Sequence, residues 1–146
     1  MRIVKNRMKI VFSALSENES FARIVITGFA SRFDISAEEL ADIKTAVSEA
    51  VTNCIVHGYK NTYGFITMEA RLYADGELRV SIADKGCGIE DVAKAMEPFY
   101  STDFQGERCG MGFSIMKSFM TKLKVTSVPG KGTKVTMSKK LESMKY

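Results

Sequence analysis

The sequence is poor in the groups that build metal centres and disulfide scaffolds. It has one histidine, His57, and three cysteines, Cys54, Cys87 and Cys109, with no Cys-x-x-Cys pair among them. That set is too small and too scattered for a transition-metal site, and an odd cysteine count without pairing spacing predicts a reducing, cytoplasmic setting. No window approaches the ~20 apolar residues that cross a bilayer, and the charged stretch 1–9 is not followed by an apolar run of signal length. The expectation is a protein that is not exported and has no membrane partner. Repeats, low-complexity tracts and linkers are also missing. So are the phosphate loop G-x-x-x-x-G-K-[ST] and any G-x-G-x-x-G between an early strand and helix. A strong charge of one sign is absent too: 21 Lys and Arg face 17 Asp and Glu, for a net +4. Spread along the chain, that excess suits a polyanionic ligand or an acidic partner and argues against direct nucleic-acid binding.

What is present suffices for one domain over residues 1–146, since 45% of the chain is hydrophobic. Residues 8–15 read as a strand with a free edge, and Ser16 with Glu19 as a capping box opening a helix to about Ser31. Ser36 with Glu39 repeats that signal ahead of a long helix ending at His57-Gly58, where the glycine suits a left-handed end. Residues 65–73 and 78–83 alternate as strands around the Asp75-Gly76 turn. Residues 91–96 read as a short helix, and 97–111 as a long mobile loop. A helix from Gly112 and strands at 125–128 and 133–137 follow, with a frayed tail after Lys139. Strand and helix do not alternate throughout, which excludes a β-α-β nucleotide fold. The order predicts an α+β, two-layer sandwich: a mixed, mainly antiparallel sheet with helices on one face.

Within the long helix, Glu49, Asn53 and His57 fall at four-residue steps beside the apolar stripe Ile43, Ala46, Val47, Ala50, Val51 and Cys54. Taken alone, that edge is first of all the solvated shoulder of an amphipathic helix. It also has the groups for phosphoryl transfer: an amide oxygen that can ligate Mg²⁺ and a carboxylate that can accept a hydroxyl proton. Three later segments bear on the choice. Asp84-x-Gly86-x-Gly88 is either a plain turn or a buried acceptor for an exocyclic amine with room for a base beside it. Gly110-Met111-Gly112 is a hinge, or a helix start whose amides face phosphate. Gly130-Lys131-Gly132-Thr133 reads by default as a hairpin turn.

In this order the segments, with Glu97-Pro-Phe-Tyr-Ser-Thr and Glu107-Arg-Cys-Gly-Met-Gly-Phe between them, resemble the Bergerat-fold ATPases, also called GHKL. That superfamily includes gyrase, chaperone, mismatch-repair and histidine-kinase ATPases. The chain is most similar to its anti-sigma-F serine kinases of spore-forming bacteria. The resemblance implies ATP and ADP as ligands and Mg²⁺ held by Asn53. It implies Glu49 as general base and Arg108 reaching the γ-phosphate. Asp84 would read the adenine amine, with Gly86, Gly88 and Thr133 lining that pocket and Gly110, Met111 and Gly112 offering amides to phosphate. It further implies a homodimer, Arg23 as the contact for the sporulation sigma factor F, and an anti-anti-sigma factor as the phosphorylated substrate. A stress-response kinase of the same family, or a nucleotide-gated binding module without transfer, are the alternatives. His57 then reads as a structural helix-end residue, and Cys87 and Cys109 as small fillers.

Overall fold

Stretches in which apolar and polar residues alternate become five strands of one sheet in the computed structural model, which describes residues 2–97 and 112–142. These are β1 (Val4–Ser13), β2 (Phe65–Tyr73), β3 (Glu77–Asp84), β4 (Lys122–Val128) and β5 (Gly132–Lys140), in the order β1-β2-β3-β5-β4. The mainly antiparallel sheet expected from the sequence is antiparallel at every pairing. Its inward positions, Ile66, Met68, Leu72, Leu78, Val80 and Ile82 among them, have no exposed surface. β1 starts at Val4, earlier than residue 8, because Val4 and the polar residues after it pair with Tyr73, Leu72 and Arg71 without any apolar signal of their own.

Four helices make the second layer: α1 (Glu17–Ala30), α2 (Ala37–Asn53), α3 (Val92–Ala95) and α4 (Gly112–Phe119). α2 lies in the middle, against α1, α4 and β3. The stripe read from its sequence is the one it buries: Ile43, Ala46, Val47, Ala50 and Val51 are wholly enclosed. Burying each of the three larger side chains contributes roughly 1.5–3 kcal/mol.

The two capping-box signals have different fates. At Ser36 the box is complete, with the Ser36 hydroxyl accepting from the Glu39 N–H at 3.0 Å and Glu39 Oε1 accepting from the Ser36 N–H at 3.1 Å. At Ser16 no side-chain cap forms. Glu19 instead accepts from the Ser48 hydroxyl of α2, so a contact between helices overrides the local cap.

α2 also does not end in a left-handed glycine. It widens into a π turn over Cys54–Gly58, closed by the Tyr59 N–H on the Cys54 carbonyl at 2.8 Å, and the left-handed residues are Lys60 and Asn61. The tail expected to fray is held as far as it is described. Leu141 is buried and its N–H bonds the Gly76 carbonyl, while the Glu142 N–H donates to Glu39 Oε2 at 2.9 Å. Burial works to raise the Glu39 carboxyl, but the donations from Glu142 and Ser36 outweigh it and hold the group below its ordinary value.

Candidate functional site

The end of α2, the turn after β3, the start of α4 and the β4–β5 hairpin enclose a cavity of about 610 Å³. That is within the range of small-molecule and cofactor pockets. Its wall contains Asn53, Asp84, Gly88, Gly112 and Thr133, so five of the residues singled out in the sequence converge. Glu49 is not in the wall; it sits one turn before Asn53 on the same edge of α2. Arg108, Gly110 and Met111, with the long loop and Cys109, lie outside the described residues.

Asp84 is the floor. It ends β3 with its side chain on the helix side of the sheet and is 9% exposed. Its Oδ1 accepts from the Gly86 N–H at 2.9 Å and the Thr133 N–H at 3.3 Å, which fixes the carboxylate in one orientation. Burial pushes its carboxyl above the usual value, while the Gly86 N–H, the Cys54 thiol and the Thr133 N–H pull the other way. The Cys54 thiol, fully enclosed beside this carboxylate, is pushed well up by burial first and by the Asp84 charge second, so it stays protonated and unreactive. The exposed Cys87 donates its thiol to the His57 carbonyl at 3.2 Å.

The glycines around Asp84 are there for backbone approach. A Cβ on Gly86 would overlap the Gly58 carbonyl, so Gly86 packs on the end of α2 and is not in the cavity wall, contrary to its expected place beside a base. A Cβ on Gly58 would lie 2.8 Å from Asp84 Oδ2, which explains a glycine there without left-handed geometry. Gly88 has φ +74 and lies in the wall, against the Val128 carbonyl. Gly132 runs so close to the Asp84 carbonyl that no side chain fits. The hairpin turn at 130–133 is therefore also the structure that brings Thr133 to Asp84.

At the other end, a Cβ on Gly112 would lie 3.0 Å from both amide atoms of Asn53. Gly112, the first described residue of α4, therefore abuts the Asn53 carboxamide, and the N-terminal end of a helix there favours an anion. Two parts escaped the sequence reading. Tyr59 bridges the turn to the sheet, donating its hydroxyl to the Phe65 carbonyl at 2.5 Å and accepting from the Lys85 N–H at 2.7 Å. Ser127 accepts from the Ile89 N–H at 2.7 Å and meets the Thr133 hydroxyl at 2.9 Å, tying the glycine turn to the hairpin. No spacing or residue type marked either one, since both act across strands distant in sequence.

Arg23 is elsewhere, half exposed on α1, 3.6 Å from Glu19. Exposed Phe21 and Ile24 flank it.

Known proteins match this chain over nearly its whole length. A family model for the histidine kinase-like ATPase domain matches residues 12–139. An anti-sigma F factor of a Thermoanaerobacter species is 51% identical over 140 residues, covering 96% of this chain and 97% of the relative. The anti-sigma F factor of Caldanaerobacter subterraneus is 53% identical over 134 residues, covering 92% and 93%. Among solved structures, the RsbU and RsbW domains of a Mycobacterium tuberculosis protein share the fold at TM-score 0.69 with 21% identity, over 94% of this chain and 33% of that one. The histidine kinase domain of an Erythrobacter litoralis blue-light activated kinase does so at 0.60, with 23% identity, over 89% and 62%. By these matches the chain belongs to the histidine kinase-like ATPase domain family and, within it, to the anti-sigma F factors.

Proposed function

We propose that this chain holds a sigma factor of the F type inactive and, from the cavity at the end of α2, phosphorylates a serine of the anti-anti-sigma protein that opposes it. The observation that carries the reading is Asn53 against Gly112 at one end of a cavity floored by Asp84, in a chain similar over nearly its whole length to anti-sigma F factors.

In this reading Asp84 accepts the adenine amine, with Gly88 and Thr133 beside the ring and Gly86 holding the Asp84 turn on α2. The amides at the start of α4, with Gly110 and Met111 ahead of them, receive phosphate oxygens. Among the described residues no three His, Cys, Asp or Glu side chains converge. Asn53 would hold a Mg²⁺ ion through its amide oxygen, which suits an ion bound by few protein ligands. When bound it neutralises charge on the phosphate oxygens.

Glu49, one turn along the same helix edge, accepts the proton of the acceptor serine. The serine oxygen bonds to the γ-phosphorus as the bond to the β-phosphate oxygen breaks, giving phosphoserine and ADP. Arg108 reaches the γ-phosphate during that step. The partner surface is α1, where Arg23 stands between the exposed Phe21 and Ile24. The free edge of β1 is the route to a homodimer, read by sedimentation over a range of protein concentrations.

Labelled ATP, the sigma factor and the anti-anti-sigma protein test this together. Label should pass to a serine of the anti-anti-sigma protein, and sigma should be retained with ATP. Retention without transfer would leave a nucleotide-gated binding module. In Arg23→Glu, sigma retention should fall at least a hundredfold, as for a hot-spot charge worth roughly 2–4 kcal/mol. ATP affinity should stay within twofold. Equal loss of both would indicate misfolding and remove Arg23 from the interface.

A further inference from the structure

The helices cover one face of the sheet; the other gathers cations. Alternation along the strands turns Arg7 and Lys9 of β1, Arg71 of β2 and Arg79 of β3 outward, while Met8, Ile10, Ala70 and Val80 face the helices. The register then lines them up: Arg7 is opposite Arg71, and Arg71 is opposite Arg79. Lys134, Lys124 and Lys122 continue the face across β5 and β4. The outward carboxylates of the strands are Glu69, 3.8 Å from Lys9, and Glu77, which pairs with Arg2 at 2.9 Å and Arg79 at 3.2 Å. Arg7 and Arg71 have no ion-pair partner among the described residues. Cations thus outnumber carboxylates on this face, a clustering that the order of the sequence does not show.

Like charges directly opposite on neighbouring strands destabilise a sheet. Three arginines in a row do so twice, and nothing in the packing of the helix layer requires them. We propose that this face docks an acidic α-helix of a partner protein, laid across the strands along Arg7, Arg71 and Arg79. Neighbouring strands are ~4.8 Å apart and a helix rises ~1.5 Å per residue, so carboxylates at i, i+4 and i+7, stepping about 6.0 and about 4.5 Å, meet successive arginines with mismatches of about 1.2 and about 0.3 Å. Long guanidinium side chains absorb that difference and bind carboxylates in a two-pronged fork. A cleft of about 80 Å³ between Arg71 and Arg79, bounded by Glu69, Ser81 and Thr136, gives one such side chain a seat.

Other polyanions fit less well. A single-stranded nucleic acid needs exposed rings beside the cations, and the ring at the arginine row, Tyr73, is buried beneath the guanidinium groups of Arg2, 3.8 Å away, and Arg79, 5.0 Å away, while the exposed Tyr63 and Phe65 lie at the opposite end of β2 from Arg71. Glu69 and Glu77 within the face repel a continuous phosphate surface, whereas a helix can place neutral or basic residues over them. A second copy of this chain presents the same sign and is repelled.

The probe is a synthetic helical peptide of about fifteen residues with Glu at i, i+4 and i+7 on one face, beside a control of equal composition with those Glu residues scattered. Binding is read by fluorescence anisotropy and by amide shifts of the labelled protein. The patterned peptide should bind at least tenfold more tightly than the control and move amides of β1, β2 and β3. It should also weaken tenfold or more when salt approaches ~1 M, where screening shortens to about 3 Å. Arg7→Glu with Arg71→Glu should lower affinity at least thirtyfold, and Arg7→Gln with Arg71→Gln by a smaller factor. ATP affinity should be unchanged in both, which also reports intact folding. Equal binding of the two peptides, shifts confined to α1, or tighter binding to duplex DNA or anionic phosphatidylglycerol vesicles at the same salt would overturn the proposal.

Discussion

Glu49→Gln should leave ATP affinity within about twofold and reduce phosphoryl transfer to the anti-anti-sigma protein by roughly 10²–10⁴-fold, the usual worth of a positioned general base. The expectation rests on where α2 puts the side chain. Asn53 is in the cavity wall against Gly112, and Glu49 is one turn beyond it on the same edge, outside the wall. A group so placed can meet a hydroxyl arriving from solvent without contacting the nucleotide, so its removal separates chemistry from binding. The glutamine keeps shape and hydrogen-bonding reach but cannot accept the proton. Single-turnover transfer measured beside equilibrium ATP binding makes the comparison. Transfer near the unmodified rate would take the base role from Glu49, and a parallel loss of ATP binding would make it part of the nucleotide pocket instead.

Asp84→Asn should weaken ATP by about 5–150-fold, because a buried contact of this kind left unsatisfied costs about 1–3 kcal/mol. The side chain is so constrained that the direction is well defined. Oδ1 is engaged by the N–H groups of Gly86 and Thr133, and an asparagine oxygen takes that place readily. Its amide NH₂ then points where the carboxylate accepted, setting donor against the donor amine of adenine. A purine with a carbonyl at that position should lose little or gain, so titration with ATP and inosine triphosphate should show the preference narrowing or reversing. Equal losses for both nucleotides would mean that Asp84 supports the pocket without reading the base.

On the proposed reading, the same carboxylate should make adenine recognition sensitive to acid. Burial raises its folded-state value, so it takes up a proton at a pH above the ordinary aspartate range. As pH falls through that value the ionised acceptor is lost and ATP affinity should fall with it, a dependence absent from the asparagine variant. Stability runs the opposite way. The folded state binds this proton more readily than the unfolded chain, so the stabilising contribution is full below the unfolded value and is lost as pH rises through the folded one. Asp84→Asn should therefore melt no lower than the parent at neutral pH, which distinguishes lost recognition from lost folding.

Much of the architecture was legible because periodicity is a local property. The α2 stripe, the hairpin at Gly76 and the capping box at Ser36 each rest on residues close in sequence, and each is realised. The failures share a cause. Ser16 with Glu19 is the same local string as Ser36 with Glu39, yet Glu19 is drawn across to Ser48. Gly58 has the look of a helix stop, yet its smallness serves Asp84, 26 residues away. Leu141 follows the last polar positions of β5 and looked loose, yet it enters the core beside Gly76. The cationic face was hidden for the same reason, since net charge carries no information on which strands lie side by side.

The position of β5 has a consequence for how the protein is made. The last strand of the described residues sits inside the sheet, between β3 and β4, and it delivers Thr133 to Asp84. A nascent chain that has not yet emerged past residue 132 carries an open β3 edge and an Asp84 short of one of its two backbone donors. Its Asp84 carboxylate is less firmly oriented, and the exposed β3 edge is the point at which an arrested or truncated chain is open to aggregation.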